Sequence, residues 1–368
     1  MTTDNIKQNN NSPLPAGKPK GKHRNLRRLI LSIAAIALVC WGVWQFRSMA
    51  STYEGDEAIW LKIPAGTSPE EVRDQLTSVL GASYGSDVLR HWDGDTAVTR
   101  GAYMVEPGTK AISLAKALNE GRQTPVKLTF NNIRTLEQLA GRMATRLDLD
   151  SATFIRAFNE KAAEAGITPE ILIGRMVPDT YEVYWTASPS QVIDKILKNN
   201  DRFWTTERRR KAESLGLTPD QATTIASIAE EESSKADERG RIGRLYLNRY
   251  KRGMKLQADP TIKFALGDFS IRRVGGSMLE TDSPYNTYRY AGLPPGPIRI
   301  PERATIDAIL DAPPHDYIYM CARADFSGYH DFTSDYAVHQ RNAAAFRRAL
   351  DSRGISLESP ARHMPSQD

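Results

Sequence analysis

Leu29 to Phe46 is a run of 18 residues without one charged side chain, rich in Ile, Leu, Ala and Val. That is close to the length a helix needs to cross the hydrocarbon of a bilayer, so the segment predicts a transmembrane helix over 29–47. Lys7, Lys18, Lys20, Lys22, Arg24, Arg27 and Arg28 precede it against Asp4 alone. The positive-inside rule then places the N-terminus in the cytoplasm and everything after Arg47 outside it. Trp41 and Trp44 fall near the far end, where indole rings favour the interface. Ser48-Met49-Ala50 has the small-x-small form of a signal-peptide cleavage site, but the apolar run is long for a signal and Arg47 sits beside that site. A retained anchor is the expectation, with the lipid bilayer as a partner.

The basic segment also accounts for the charge. It carries a local +6 within a total of +5, so the rest of the chain has a net −1, which argues against a nucleic-acid partner. At 368 residues, 40% hydrophobic and 25% charged, the chain is long enough for two domains plus appendages. Its two cysteines are Cys40, inside the apolar run, and Cys321, so neither a disulfide framework nor a thiolate metal cluster can form.

Residues 1–28, rich in Asn, Lys, Pro and Gly, read as a disordered cytoplasmic tail. Beyond the anchor a strand–turn–helix unit occurs twice: a strand at 59–63, a turn at 64–68 and a helix at 69–80, then 102–105, 107–109 and 111–119. Together they suggest a compact module over 57–125. A further strand at 126–130 and a helix capped by Thr135 open a mainly helical domain over 126–355. Its helices start at Ser151, Thr168, Pro189 and Arg208, and at Pro219 behind the capping box Thr218-Pro219-Asp220-Gln221; another spans about 237–254. From Leu256 the texture turns to loops dense in Pro, Gly, Asn and Tyr, followed by a hairpin at 317–333 and a last helix at 336–351. Residues 356–368 read as a flexible C-terminal tail. The fold class is therefore α+β.

The chemistry points to Ile225-Ala226-Ser227-Ile228-Ala229-Glu230-Glu231-Glu232. On a helical wheel Ile225, Ile228 and Ala229 share one face and Glu232 falls within it, whereas Glu230 projects opposite and Glu231 to the flank, where both can stay hydrated. A carboxyl held against apolar neighbours has a raised pKa and can serve as a general acid near neutral pH. The bland alternative is a partly buried Glu bonded to an Arg such as Arg239. Ser113-x-x-Lys116 lacks the partner motifs of penicillin-recognising enzymes. The six histidines show no metal-ligand spacing, and no phosphate-binding loop occurs, so neither metal nor cofactor is expected. Downstream of Glu232, Asn248, Gln257, Asp259, Tyr285, Asn286 and Tyr288 are the amide, acid and aromatic types that bind sugars, although Asp259 and Asn286 are also good turn formers.

In order along the chain, Ala226 to Glu232, Glu238-Arg239, Asn248-Arg249, Gly253-Met254-x-Leu256-Gln257-x-Asp259-Pro260-Thr261, Tyr285-Asn286-Thr287-Tyr288 and Gly292-Leu293-Pro294-Pro295-Gly296 resemble the motifs of the MltG (YceG-like) endolytic murein transglycosylases. Pro178 to Tyr181, His330-x-Phe332 and His339 also look like family positions. The resemblance implies a LysM-like module at 57–125 and a catalytic domain at 126–355 that cleaves peptidoglycan glycan strands, with cell-wall synthases as possible partners. It implies that Glu232, the second Glu of a Glu-x-Glu, is catalytic, with Asn248 beside it and Gln257, Asp259, Tyr285, Asn286 and Tyr288 shaping the glycan groove. Glu231 stands where members commonly have Lys or a similar residue, and a denser acid cluster should help raise the pKa of its most buried member. Two rivals are a hydrolase with Asp259 as base and a non-catalytic scaffold that binds nascent glycan.

Overall fold

The computed structural model describes residues 22–94 and 100–353. The C-terminal tail expected at 356–368 lies outside the described residues, as does the N-terminal tail up to residue 21. The chain divides into two compact units, one of residues 1–99 and 103–122 and one of residues 100–102 and 123–368.

In the first unit, helix α1 (Lys22–Ala50) begins seven residues inside the stretch expected as tail. Its span Asn25–Arg47 is 23 residues long and holds an 18-residue window with a mean hydropathy of 2.1, none of it buried. At about 1.5 Å per residue it is long enough to cross a bilayer, and it is compatible with single-pass anchoring. The globular part is built from β1 (Ile59–Ile63), α2 (Pro69–Leu80), α3 (Ala82–Leu89), β2 (Gly101–Val105) and α4 (Ala111–Asn119), with β1 and β2 paired in a two-stranded sheet. Ser68 and Glu71 close a capping box at the start of α2. Leu61, Ile63, Val72 and Leu76 from the first strand–helix unit pack with Tyr103, Val105, Leu114 and Leu118 from the second. Helix α3 is absent from the sequence reading because its Gly and Ser residues read as loop. Gly85 explains the composition: a Cβ there would lie 2.5 Å from the carbonyl oxygen of Leu76, so glycine lets α3 close onto α2.

The second unit is mostly helical. Strands β3 (Val126–Thr129) and β4 (Thr180–Val183) form an antiparallel pair with Val126 opposite Val183. Around them α5 (Leu136–Ala144), α6 (Ser151–Glu164), α7 (Pro169–Gly174) and α8 (Pro189–Phe203) enclose a core that includes Leu128, Phe130, Phe154 and Phe158. A second core is centred on α10 (Pro219–Glu232), with α9 (Thr206–Ser214), α11 (Ala236–Lys251), α12 (Asp259–Leu266) and α13 (Arg303–Leu310) around it. Gly240 and Gly243 let α11 approach α13, since a Cβ at Gly240 would meet the Ala308 carbonyl oxygen at 2.6 Å. The expected hairpin is β5 (Tyr319–Ala322) and β6 (His330–Thr333), paired antiparallel, and α14 (Tyr336–Asp351) follows it.

Two stretches differ from the sequence reading. Residues 259–266 form α12, in which Asp259-Pro260 starts a helix rather than a turn, and α13 likewise falls in the stretch whose sequence predicts loops. In both, a proline lies at or just before the first turn, where its missing N–H costs nothing.

Candidate active site

Helix α10 is the element on which the site is built. Its capping box, Thr218 with Gln221, fixes its start, and every residue from Ala222 to Glu230 is buried. Ser227 donates to the Thr224 carbonyl at 2.7 Å and accepts the Ile298 N–H at 3.0 Å, which pins the segment after the Pro-Pro-Gly turn onto the helix. Three carboxylates then crowd its C-terminal end, where the helix dipole is already negative. Each is handled differently.

Glu230 departs from the expectation that it stays hydrated: it is only 4% exposed. The wheel assumes a solvated back face, and α10 has none because packed elements surround it. Its carboxylate accepts the Glu302 N–H at 3.0 Å and the Thr305 hydroxyl at 2.5 Å, with Arg299 at 3.1 Å and Arg239 at 3.6 Å. Glu231, half-buried, is held bidentately by Arg134 at 2.9 and 3.1 Å and by Arg299 at 3.0 Å. Arg239, the candidate partner for a structural Glu232, binds Ser233, Glu302 and Thr305 instead.

Glu232 has no arginine partner among the described residues. It receives a 2.5 Å hydrogen bond on Oε1 from the hydroxyl of Tyr246, which comes from α11 and is 2% exposed. The residue keeps an opening to solvent, as a group that must meet a substrate has to. Burial of its carboxyl pushes the pKa from an ordinary 4.5 up to about 7; the nearby charges of Asp259 and, more weakly, Glu231 push the same way, while the Tyr246 hydrogen bond and Lys263 oppose. The like-charge effect assigned to Glu231 is therefore present but is smaller than that of Asp259. Burial also drives the Tyr246 hydroxyl well above its ordinary range, so Tyr246 is a donor.

Asp259, at the start of α12, accepts a 2.5 Å hydrogen bond from Tyr288. Gln257 adopts a left-handed backbone (φ 53°), its side-chain oxygen accepts from Arg249 at 2.5 Å, and the residue is exposed. Arg249 is buried and also clamps the carbonyls of Lys255 and Ile318. Thr287 joins the two motif segments: its carbonyl accepts the Gln257 N–H, its hydroxyl accepts the Ala258 N–H, and its Oγ1 lies 2.8 Å from that of Thr261. Tyr246, Asp259, Tyr288 and Lys263 are thus gathered about Glu232, and Arg249, with Gln257 bonded to it, lies by Tyr246 and Tyr288.

Three expected groove residues are otherwise engaged. Asn286 is fully buried; its amide donates to the carbonyls of Leu279 and Thr281, and its oxygen accepts the Tyr288 and Arg289 N–H groups. It staples the loop and has no capacity left for a sugar. Asn248 donates to the carbonyls of His315 and Tyr317. Tyr285 packs on Phe264 with ring centres 4.6 Å apart, against the second core. Replacing Asn286 by Ala should cost about 2–3 kcal/mol by stranding buried backbone groups. A thermal melt checks this; a raised KM with an unchanged melt would instead mark a substrate contact.

Of the other motif residues, Asp179 accepts from Asn199 and Arg303, and His330 pairs with the buried Glu238 at 2.9 Å. The sequence reading missed Tyr246, which lies on the apolar stripe of its helix and reads as core. It also missed Arg134 and Arg299, which no local spacing ties to the glutamates.

The YceG-like family model matches residues 61–345. The chain is 26% identical to an endolytic murein transglycosylase of Bacillus subtilis (strain 168) over 302 residues, 76% of this chain and 82% of that protein. An endolytic murein transglycosylase of Streptococcus pneumoniae (strain D39) is 30% identical over 320 residues, 77% of this chain and 57% of that longer protein. A crystal structure of a yceG-like protein from Listeria monocytogenes superimposes with a TM-score of 0.52 at 27% identity, covering 78% of this chain and 99% of that one.

Proposed function

This chain belongs to the YceG-like family, and from that premise we propose that it is an endolytic peptidoglycan lytic transglycosylase with Glu232 as its acid. The observation that carries the reading is the Glu232 carboxyl, with a pKa near 7 and a tyrosine donor on one oxygen.

Ordinary glycosidases need two carboxylates; a lytic enzyme needs one, because the substrate supplies the second group. Tyr246 occupies Oε1, which leaves the proton to Oε2. Protonated Glu232 gives it to the glycosidic oxygen between N-acetylmuramic acid and N-acetylglucosamine as the C1–O bond breaks, and the glucosamine leaves with a 4-hydroxyl. The 2-acetamido group of the muramyl residue stabilises the positive charge that develops at C1. Glu232, now ionised, takes the proton of the muramyl 6-hydroxyl as that oxygen bonds to C1. The products are a 1,6-anhydro end and a regenerated acid; no water is consumed, and the cut ends elongation of a nascent strand. Tyr288 holds Asp259 as an acceptor whose charge supports the protonated state of Glu232, which is a different task from that of a base. Gln257, exposed and bonded to Arg249, is read as a contact for the glycan. A scaffold reading has no use for an acid set this way.

The residues at 57–125 are read as a LysM-like module that helps hold the strand, those at 126–355 as the catalytic domain. α1 is read as the anchor, with the N-terminus cytoplasmic, so that the site faces the murein side of the membrane near the cell-wall synthases. The repeated strand–helix unit and the basic residues preceding the apolar run support these assignments.

Opposite shifts test the site. Protonated Glu232 is the active form, so kcat/KM falls as pH rises through about 7. Tyr246→Phe removes a hydrogen bond that favours the ionised form, and the alkaline limb should move up by roughly half to one pH unit. Asp259→Asn removes a negative neighbour, and the limb should move down by a similar amount while activity persists. Abolition of activity by Asp259→Asn at every pH would favour the hydrolase with Asp259 as base.

A further inference from the structure

The geometry points to a second subsite: a basic groove between α14 and the 272–273 loop that holds the acidic stem peptide of the murein strand. This rests on the lytic reading above. The groove has a volume of about 630 Å³, with Arg272, Arg273 and Arg347 on its walls, Tyr336 and Phe346 beside them, His339 at its base, and no acidic residue in the lining. Arg272 and Arg347 form no ion pair among the described residues. Of the acids near it along the chain, Asp331, opposite Cys321 across the hairpin, binds Arg323 at 3.1 Å, Asp335 caps α14, and Asp351 closes α14 outside the lining. Like charges gathered in one concavity raise the local potential and select an anion.

The rest of the groove favours a peptide on a sugar over a bare ion. Tyr336 is 57% exposed, and its ring lies 5.5 Å from that of Tyr319, which stacks on His339 at 5.1 Å and 19°. The Nδ1 of His339 is buried without a partner among the described residues. An aromatic platform beside guanidinium groups suits an apolar backbone carrying carboxylates, which arginine can grip bidentately. The platform also leads to the acid: Arg249, which bonds Gln257, has its guanidinium carbon 6.0 Å from the Tyr319 ring centre. A strand whose bond lies at Glu232 would carry a muramyl stem peptide from that site towards the groove.

The test compares glycan strands bearing their stem peptides with the same strands stripped by an amidase, cut by the full chain in detergent. The readout is the ratio of kcat/KM between them. It is internal to each preparation, so loss of folded protein cancels. The wild type should prefer peptide-bearing strands about tenfold, as one or two arginine–carboxylate contacts would give, and the preference should shrink at high salt. Arg272→Glu with Arg347→Glu should bring the ratio to one or below, and the corresponding lysine pair should keep most of it. A wild-type ratio of one, or a ratio unmoved by charge reversal, overturns the assignment. So does inhibition by inorganic pyrophosphate that depends on these arginines but not on the stems, which would make the groove a phosphate site. If the lytic reading itself is wrong, neither substrate yields anhydro ends, an outcome distinct from equal cleavage of both.

Discussion

Replacing Glu232 by Gln is expected to lower strand cleavage by roughly three orders of magnitude while leaving the protein folded. Gln has the same shape, and its side-chain oxygen can still accept the Tyr246 hydrogen bond, so packing at the end of α10 survives. What is lost is the proton. A second consequence separates this role from a structural one. The folded pKa of about 7 lies above the ordinary 4.5, so below 4.5 both states hold the proton and Glu232 imposes no cost. Between those values the unfolded state ionises first, and stability falls with rising pH until the folded carboxyl has also ionised. Gln does not titrate, so the variant should gain on the wild type between pH 5 and 8, by at most about 3 kcal/mol. Thermal melts at the two pH values read this directly. A Glu232 held by an arginine would show the opposite sign.

Glu230→Ala is expected to be the most destabilising change at the site, even though Glu230 has no part in the chemistry. Removing its carboxylate strips the Glu302 N–H and the Thr305 hydroxyl of their acceptor and leaves Arg299 and Arg239 facing a void. Breaking a buried ion pair from one side costs about 3–5 kcal/mol, which in a unit of this size should lower the Tm by roughly 10 °C. Glu230→Gln keeps an acceptor and should cost less. Had Glu230 been hydrated, neither change would move the melt by more than about 0.5 kcal/mol.

Those two neighbouring glutamates show what the sequence could reveal and what it could not. Elements with local signals were legible: the capping box at Thr218, the repeated strand–turn–helix units, the uncharged run at 29–46, the last helix at 336–351. Helix α3 was not, because its glycine is there for contact with α2, and that contact is invisible along the chain. Helices α12 and α13 were hidden by prolines that serve equally well in turns. At the site, a wheel with one apolar face singles out Glu232 but cannot anticipate that the opposite face is also covered, which turns Glu230 from a surface acid into a buried one. Tyr246 shares the spacing of the core residues Ile242 and Leu245, and only the folded structure shows its hydroxyl aimed at a carboxylate. Asn286 carries the reverse lesson. A residue of sugar-binding type was consumed by its own loop, where a carbonyl pair and two N–H groups claim its amide.

The central claim is that one carboxyl, with the substrate's own hydroxyl as nucleophile, breaks the strand without water. Digestion of glycan strands by the full chain in water enriched in oxygen-18, followed by mass analysis of the new ends, tests it most directly. The account predicts anhydromuramyl ends, one water lighter than reducing ends and free of the heavy isotope, and roughly a thousandfold fewer of them from Glu232→Gln. Reducing ends carrying oxygen-18 would contradict it.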